Sequence, residues 1–437
     1  MHRLREHFGA EPATQPVVSE TFDSTDHPNL QIALDAYLGE AGRSFTLVGI
    51  ISEQKKYMGI GLSDLLMPAR GGLMGAGGPM EGPVEYVNFD LDTGRVLTCV
   101  QSGLYLIGEG ERRLAVLVSG PSRQDMRQKL RVEAMATERA DAERFLAELR
   151  TLIRQRNVYR GHVLSLSIDN FGTLSVQFHI LPQIGRDKII LPAGVIERVE
   201  RHTLGFARHR DKLLAAGRHL KRGMLLHGPP GTGKTLTAMY LASQMQDRTL
   251  LLLTGRGLGL IQRSCAMARM LQPAMVILED VDLVAEERTR PGAGCSPLLF
   301  ELLNEMDGLA DDADVIFLLT TNRPDLREPA LAARPGRVDQ AIEVPLPDAE
   351  CRRQLIALYS RGLTLRVTDM DRLVGQTEGV SAAFMRELLR KAALFAADTG
   401  DAIVVEDRHI ADALHELVVE GGDLTKSLLG ARRATAP

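Results

Sequence analysis

Gly228-Pro229-Pro230-Gly231-Thr232-Gly233-Lys234-Thr235 decides the fold of this chain. Its spacing is G-x-x-x-x-G-K-[ST]: the glycines let backbone N–H groups curl around phosphate oxygens, the lysine reaches the β- and γ-phosphates, and the hydroxyl ligates Mg2+. Lys234 and Thr235 take the last two roles. The run before the loop, GMLLHG at 223–228, is apolar enough for a buried strand. After it, Ala238, Leu241, Ala242 and Met245 fall at i, i+3, i+4 and i+7, the period of a helix. An ordinary glycine turn requires neither flank, so the strand–loop–helix setting points to a nucleoside triphosphate bound with Mg2+.

Downstream, apolar runs alternate with helical patterns: TLLLLTG (249–255), AMVILED (274–280), DVIFLLTTN (314–322) and AIEVPL (341–346). Strands separated by helices imply right-handed crossovers and a parallel sheet. The fold class is therefore α/β, with a parallel-sheet core over residues 191–345. A helical lid follows at 346–422, read from Cys351/Leu355/Leu358/Tyr359, Met385/Leu388/Leu389/Ala392 and Ile410/Leu414/Leu417, and then a tail at 423–437. The strand AMVILED and its next residues bring Glu279, Asp280 and Asp282 to the carboxyl end of a parallel strand, where such sheets bind ligands. One carboxylate there suits a Mg2+ shell and another suits the orientation or deprotonation of an attacking water. A solvated acidic strand end is the bland alternative.

Upstream the pattern is different. Residues 1–25 read as a disordered leader, and 26–120 as a β-rich, α+β domain. Its strands are FTLVGII, VEYVNFDL, RVLTCVQ, GLYLIGE and RRLAVLVSG, punctuated at Asp92-Thr93-Gly94, Ser102-Gly103 and Gly108-Glu109-Gly110. The glycine-rich stretch 69–83 reads as a loop or linker. Residues 121–190 form a connecting region: a helical segment to about 156, with Phe145, Leu149, Leu152 and Ile153 on one face, then the strand pair VLSLSI and LSVQFHI around Asn170-Phe171-Gly172.

At 437 residues the chain has room for about two or three domains. Its 44% apolar and 25% charged composition is that of a soluble globular protein, and a net charge of -4 gives no global attraction to nucleic acid or anionic membrane. Cys99, Cys265, Cys295 and Cys351 form no CxxC pair, so neither a zinc site nor a disulfide framework is indicated and a reducing cytoplasm fits. The start MHRLREHFGAEP has no apolar leader region, and no run is long enough to span a bilayer.

LLNEMDGL at 302–309, TTNRPD at 320–325 and ARPGRVD at 333–339, together with the phosphate loop, resemble the second region of homology that marks the AAA family of ATPases. The resemblance covers roughly residues 190–420. It implies a P-loop ATPase core with a helical lid, ATP and Mg2+ as ligands, and assembly as a homo-oligomeric ring, usually a hexamer, that remodels other macromolecules. It also implies that Asn322 senses the γ-phosphate and helps position water, and that Arg334 and Arg337 are an arginine-finger pair reaching into the neighbouring subunit's nucleotide. Adenine would lie between Leu204-Gly205-Phe206 and the lid's Gly379 to Ala382. In TEGVSAAF, alanine replaces the second glycine of the family's lid pattern.

Three departures stand out. The acidic strand ends Glu279 then Asp280, where the family has Asp then Glu; this order is also that of the mitochondrial Rieske-protein translocase branch. By position Glu279 then belongs to the Mg2+ shell and Asp280 to water activation. Residues 256–260, Arg-Gly-Leu-Gly-Leu, are shorter than the family's central-pore loop and lack its aromatic, which disfavours processive threading; residues 286–297 suit either a second pore loop or a surface loop. PALAARPGR is one residue longer before its arginines than the family pattern.

The leading expectation is an ATPase ring that remodels or disassembles a protein client, recruited through the N-terminal region. A nucleotide-gated scaffold with negligible turnover is the alternative. A nucleic-acid-remodelling ATPase ranks below both, since 4% aromatics and no tryptophan give little for bases to stack on.

Overall fold

The computed structural model describes residues 2–9, 11–51, 60–66, 79–92, 94–121, 129–168, 173–254, 259–281, 297–308, 313–322, 338–398 and 403–420. The chain divides into two units, one of residues 1–160 with 165–179, the other of 161–164 with 180–437.

The first unit is built on an antiparallel sheet of β1 (Val17–Asp23), β2 (Arg43–Ile51), β3 (Met80–Gly82), β4 (Glu85–Asp92), β5 (Arg95–Glu109), β6 (Arg112–Ser119) and β7 (Lys129–Ala136), ordered β1-β7-β6-β5-β2-β3 with β4 also on β5. Helices His27–Leu38 and Arg139–Gln155 contribute to a core of Leu34, Tyr37, Val116, Val132, Phe145 and Leu149 on one face. Leu4 of the helix His2–Phe8 and Leu62 and Leu65 of the helix Leu62–Leu66 pack with Ile50, Leu106, Leu117 and Met135 in a second cluster.

This arrangement corrects several expectations. Residues 1–25 carry a helix and an edge strand: Val18 and Phe22 face the core, and β1 pairs with β7 in the register Val18↔Ala134. The segment expected to be helical from 121 begins, among its described residues, with β7. There Leu130, Val132, Ala134 and Ala136 alternate toward one cluster while Met135 joins the other, the two-residue period of a strand buried on both faces. Residues 121–190 are not a separate connecting region, since β7 and the helix Arg139–Gln155 belong to the first unit's sheet and core. Ser102-Gly103 lies inside the continuous strand β5. A side chain at 103 would bring its Cβ within 2.9 Å of both Leu47 and Val100, so the glycine serves close packing and not a turn. Met80–Gly82 of the glycine-rich stretch is a strand; residues 69–78 lie outside the described residues.

Two further strands come next in the chain, β8 (Val163–Ile168) and β9 (Leu174–His179). The second unit holds the parallel sheet: β10 (Arg222–His227), β11 (Thr249–Leu253), β12 (Ala274–Leu278), β13 (Val315–Thr321) and β14 (Gln340–Glu343), ordered β14-β10-β13-β12-β11, with Val163 and Leu164 of β8 pairing alongside β11. Residues 224–226, 250–253, 274–278 and 315–319 are apolar without alternation, as a sheet covered on both faces requires. Their registers align the carboxyl ends: His227 opposes Thr321, Leu319 opposes Leu278, and Leu278 opposes Leu253. The phosphate loop, the acidic pair and Asn322 thereby reach one edge of the sheet.

The lid has helices Ala349–Tyr359, Met370–Gln376, Ala382–Ala397 and Asp407–His415, one more than the three apolar patterns suggested, and a parallel pair, Thr364–Arg366 with Val404–Glu406. The first three helices are capped by Asp348, Asp369 and Ser381, whose side chains accept from Cys351, Arg372 and Phe384 N–H groups. Residues 421–437, and with them the expected tail, lie outside the described residues.

Candidate functional site

The loop between β10 and the helix Lys234–Ser243 bends through three left-handed glycines, Gly228 (φ 147°), Gly231 (φ 73°) and Gly233 (φ 99°). Such angles suit only a residue without Cβ and turn successive N–H groups toward one concavity. Thr232 Oγ1 donates to the Pro229 carbonyl at 2.9 Å. Lys234, 5% exposed, donates from Nζ to the carbonyls of Gly228 and Pro229 at 2.9 and 2.8 Å. Its charge is thus folded back over the loop that would receive phosphate, with Pro230 between these partners and Gly231.

The lid touches the loop directly. Ala383 N–H donates to the Gly231 carbonyl at 3.0 Å. A Cβ at 231 would lie 2.7 Å from Ser381 Oγ and 2.9 Å from the Ala383 Cβ, so Gly231 is fixed by the lid as well as by its φ.

Glu279 and Asp280 follow β12 directly. One carboxylate oxygen of Glu279, Oε1, is shielded from solvent and has no hydrogen-bond partner. Burial raises the Glu279 pKa above the ordinary carboxylate value, the neighbouring Asp280 charge raises it further, and a hydrogen bond from Thr235 opposes both. A shielded, partnerless oxygen beside the loop hydroxyl fits a hard cation, and Thr235 with Glu279 would hold Mg2+. Among the described residues no group of three or more His, Cys, Asp and Glu forms a ready cage; Mg2+ typically takes one or two carboxylates and completes its shell with water and phosphate.

Asp280 is the one non-glycine with positive φ among the described residues, at 50°. Its N–H donates to Thr320 Oγ1 at 3.0 Å, and its Oδ1 accepts from Asn322 Nδ2 at 3.0 Å. The structure therefore joins Asn322 with Asp280, and Thr235 with Glu279. Arg334, Arg337, Asp282 and Arg256 to Leu258 lie outside the described residues, as does the stretch 286–296.

The residues expected beside adenine are placed as follows. Leu204 packs on the sheet core from a wide helical turn, Arg201–Gly205, and Phe206 lies under the Arg222 guanidinium at 5.1 Å from its centroid. The segment shared with the lid lies earlier: Ile189 belongs to the sheet core and Ile190 packs on the lid core. Thr320, Ile190 and Ala383 were not singled out from the sequence; a hydroxyl two residues before Asn322 was the one readable signal among them.

Residues 224–346 match the family described as ATPase family associated with various cellular activities (AAA). The chain is similar to the ATP-dependent zinc metalloprotease FTSH 1, chloroplastic, of Oryza sativa subsp. japonica, 30% identical over 266 residues, 57% of this chain and 38% of that protein. It is similar to ATP-dependent zinc metalloprotease FtsH 1 of Conexibacter woesei, 35% identical over 226 residues, 48% of this chain and 34% of the other. With the Proteasome-activating nucleotidase of Pyrococcus horikoshii it shares 32% identity over 201 residues, 43% of this chain and 50% of the relative. The matched region spans half or less of each of these relatives.

Proposed function

We propose that this chain, an AAA ATPase by its residues 224–346, hydrolyses ATP with Mg2+ in a homo-oligomeric ring, a hexamer, and uses the accompanying shape change to remodel or disassemble a protein client. The observation that carries this reading is the convergence at one sheet edge: Asn322 bonded to Asp280, next to Glu279 with its partnerless oxygen beside Thr235. The relatives named as proteases and as a proteasome-activating nucleotidase support a protein client over nucleic acid.

In this reading Lys234 exchanges the carbonyls of Gly228 and Pro229 for phosphate oxygens, and the loop N–H groups close on the triphosphate. Bound Mg2+ supplies the charge that neutralises the β- and γ-oxygens. Asp280 orients the attacking water and accepts its proton, a role worth about 10²–10⁴ in rate. Asn322 holds that carboxylate and presents its amide to the γ-phosphate. Adenine lies where 189–190 pass between sheet core and lid. Arg334 and Arg337 act on the neighbouring subunit's nucleotide, where guanidinium charge is worth about 10³–10⁵.

The first unit recruits the client or an adaptor. No described helix is long and apolar enough to cross a membrane, and a cytoplasmic setting belongs to the same reading. Mixing tests the ring: Arg337→Ala and Lys234→Ala subunits, each inactive alone, regain hydrolysis when combined. No recovery at any ratio counts against a shared site.

A further inference from the structure

The chain changes direction at Asp280, and what holds it there is a hydroxyl. The β12–β13 ladder ends with Leu278 opposite Leu319. Two residues on, the Asp280 N–H lies beyond the paired strand, in a left-handed conformation that an L-residue adopts reluctantly because Cβ crowds the following carbonyl. Aspartate tolerates it better than most residues, but something must still take the N–H. Thr320 Oγ1 does so at 3.0 Å, and Thr320 is 1% exposed, so bulk water is not at hand to replace it.

Thr320 and Asn322 are two positions apart at the end of β13, a spacing that puts both on one side of the strand. Thr320 accepts from the Asp280 backbone while Asn322 donates to its Oδ1. The two make a clamp with one jaw on the main chain and one on the carboxylate, leaving Oδ2 for the attacking water. Aspartate is one methylene shorter than glutamate, so its reach depends more directly on where its backbone sits.

We propose that the Thr320 hydroxyl is a positioning residue for hydrolysis: by fixing the left-handed backbone of Asp280 it sets the distance from that carboxylate to water. The inference rests on reading Asp280 as the group that orients and deprotonates water. Thr320 itself touches neither water nor nucleotide.

The test uses the full chain with Thr320→Val, which keeps the branched shape and removes the hydroxyl, and Thr320→Ser, which keeps the hydroxyl. The valine variant is expected to lose about tenfold to a hundredfold in kcat with KM for ATP within about twofold, as for a misplaced catalytic group. In the nucleotide-free protein its Asp280 amide should exchange hydrogen faster than wild type. Serine should restore both the rate and the protection. If valine prevents folding, Thr320→Ala makes the same comparison. Unchanged kcat in a folded hydroxyl-free variant, or unchanged protection of the Asp280 amide, overturns the proposal. Asp280→Asn separates the two levels: full turnover there removes Asp280 from the chemistry altogether, whereas its loss alongside an active Thr320→Val removes only the role of Thr320.

Discussion

Asn322 Nδ2 reaches Asp280 Oδ1 across 3.0 Å, so the side chain expected to sense the γ-phosphate is already bonded to the carboxylate expected to activate water. Exchanging the amide for a second acid, Asn322→Asp, places like charges at that distance. Like carboxylates repel and the donor that holds Oδ1 is lost, so Asp280 is no longer aimed at the water. kcat should therefore fall by roughly tenfold to a hundredfold, with ATP affinity much less affected. Steady-state rates beside ATP affinity check this; an unchanged kcat would place Asn322 outside the positioning of Asp280.

Gly231→Ala forces a Cβ into the 2.7 Å and 2.9 Å approaches of Ser381 and Ala383 at a φ of 73°. The left-handed backbone alone costs about 1–2 kcal/mol. The clash adds displacement of the lid from the loop. The expected result is loss of most of the ATP-induced rise in Tm and of hydrolysis, while the nucleotide-free protein keeps its circular dichroism.

Glu279 gives a pH dependence of definite sign. Its carboxyl titrates above its unfolded value of 4.5, chiefly through burial. In the nucleotide-free protein the folded state therefore binds the extra proton between 4.5 and the raised value; this contribution to stability is fully present below 4.5 and is lost as pH rises through the raised pKa. A cation favours the ionised form, so binding ATP with Mg2+ releases a proton in that window and its apparent affinity falls as pH drops. Calorimetry in buffers of different ionisation heat reads the proton. Glu279→Gln should abolish its release, and release persisting in that variant would assign the proton elsewhere.

At the opposite strand ends, Arg248 meets Asp314 through two hydrogen bonds of 2.6 and 3.2 Å, both side chains 2% exposed. Removing one partner of a buried pair leaves an uncompensated charge, typically about 3–5 kcal/mol. Asp314→Ala should lower the urea midpoint by a corresponding amount, while whatever fraction remains folded binds ATP normally. A midpoint close to wild type would show that water reaches Arg248, since Arg210, 2.7 Å from Asp314, loses the same partner.

The sequence disclosed those parts of the site whose chemistry dictates residue type at short spacing. Lys234 and Thr235 follow from what a phosphate requires, and Glu279 and Asp280 from where a parallel strand must end. The parallel core was legible for the same reason, since residues 224–226, 250–253 and 274–278 are apolar without alternation. Positions defined by contact between distant segments were not. Ile189 and Ile190 look alike in the sequence yet pack on different cores. In β7 the alternation was blurred because Met135 is as apolar as the neighbours that face the other way. Val18 and Phe22 are the apolar half of an otherwise polar stretch, which reads as disorder until β7 supplies its partner.

Ile189 and Ile190 also tie the lid to the sheet. Successive Cα atoms are about 3.8 Å apart, so the sheet core and the lid core are joined by a lever a single peptide long. Such a lever has two soft torsions and almost no slack. A base wedged beside it would turn a small change of angle into a rotation of the whole lid, and a lid pushed by a neighbour would squeeze or release the base in return.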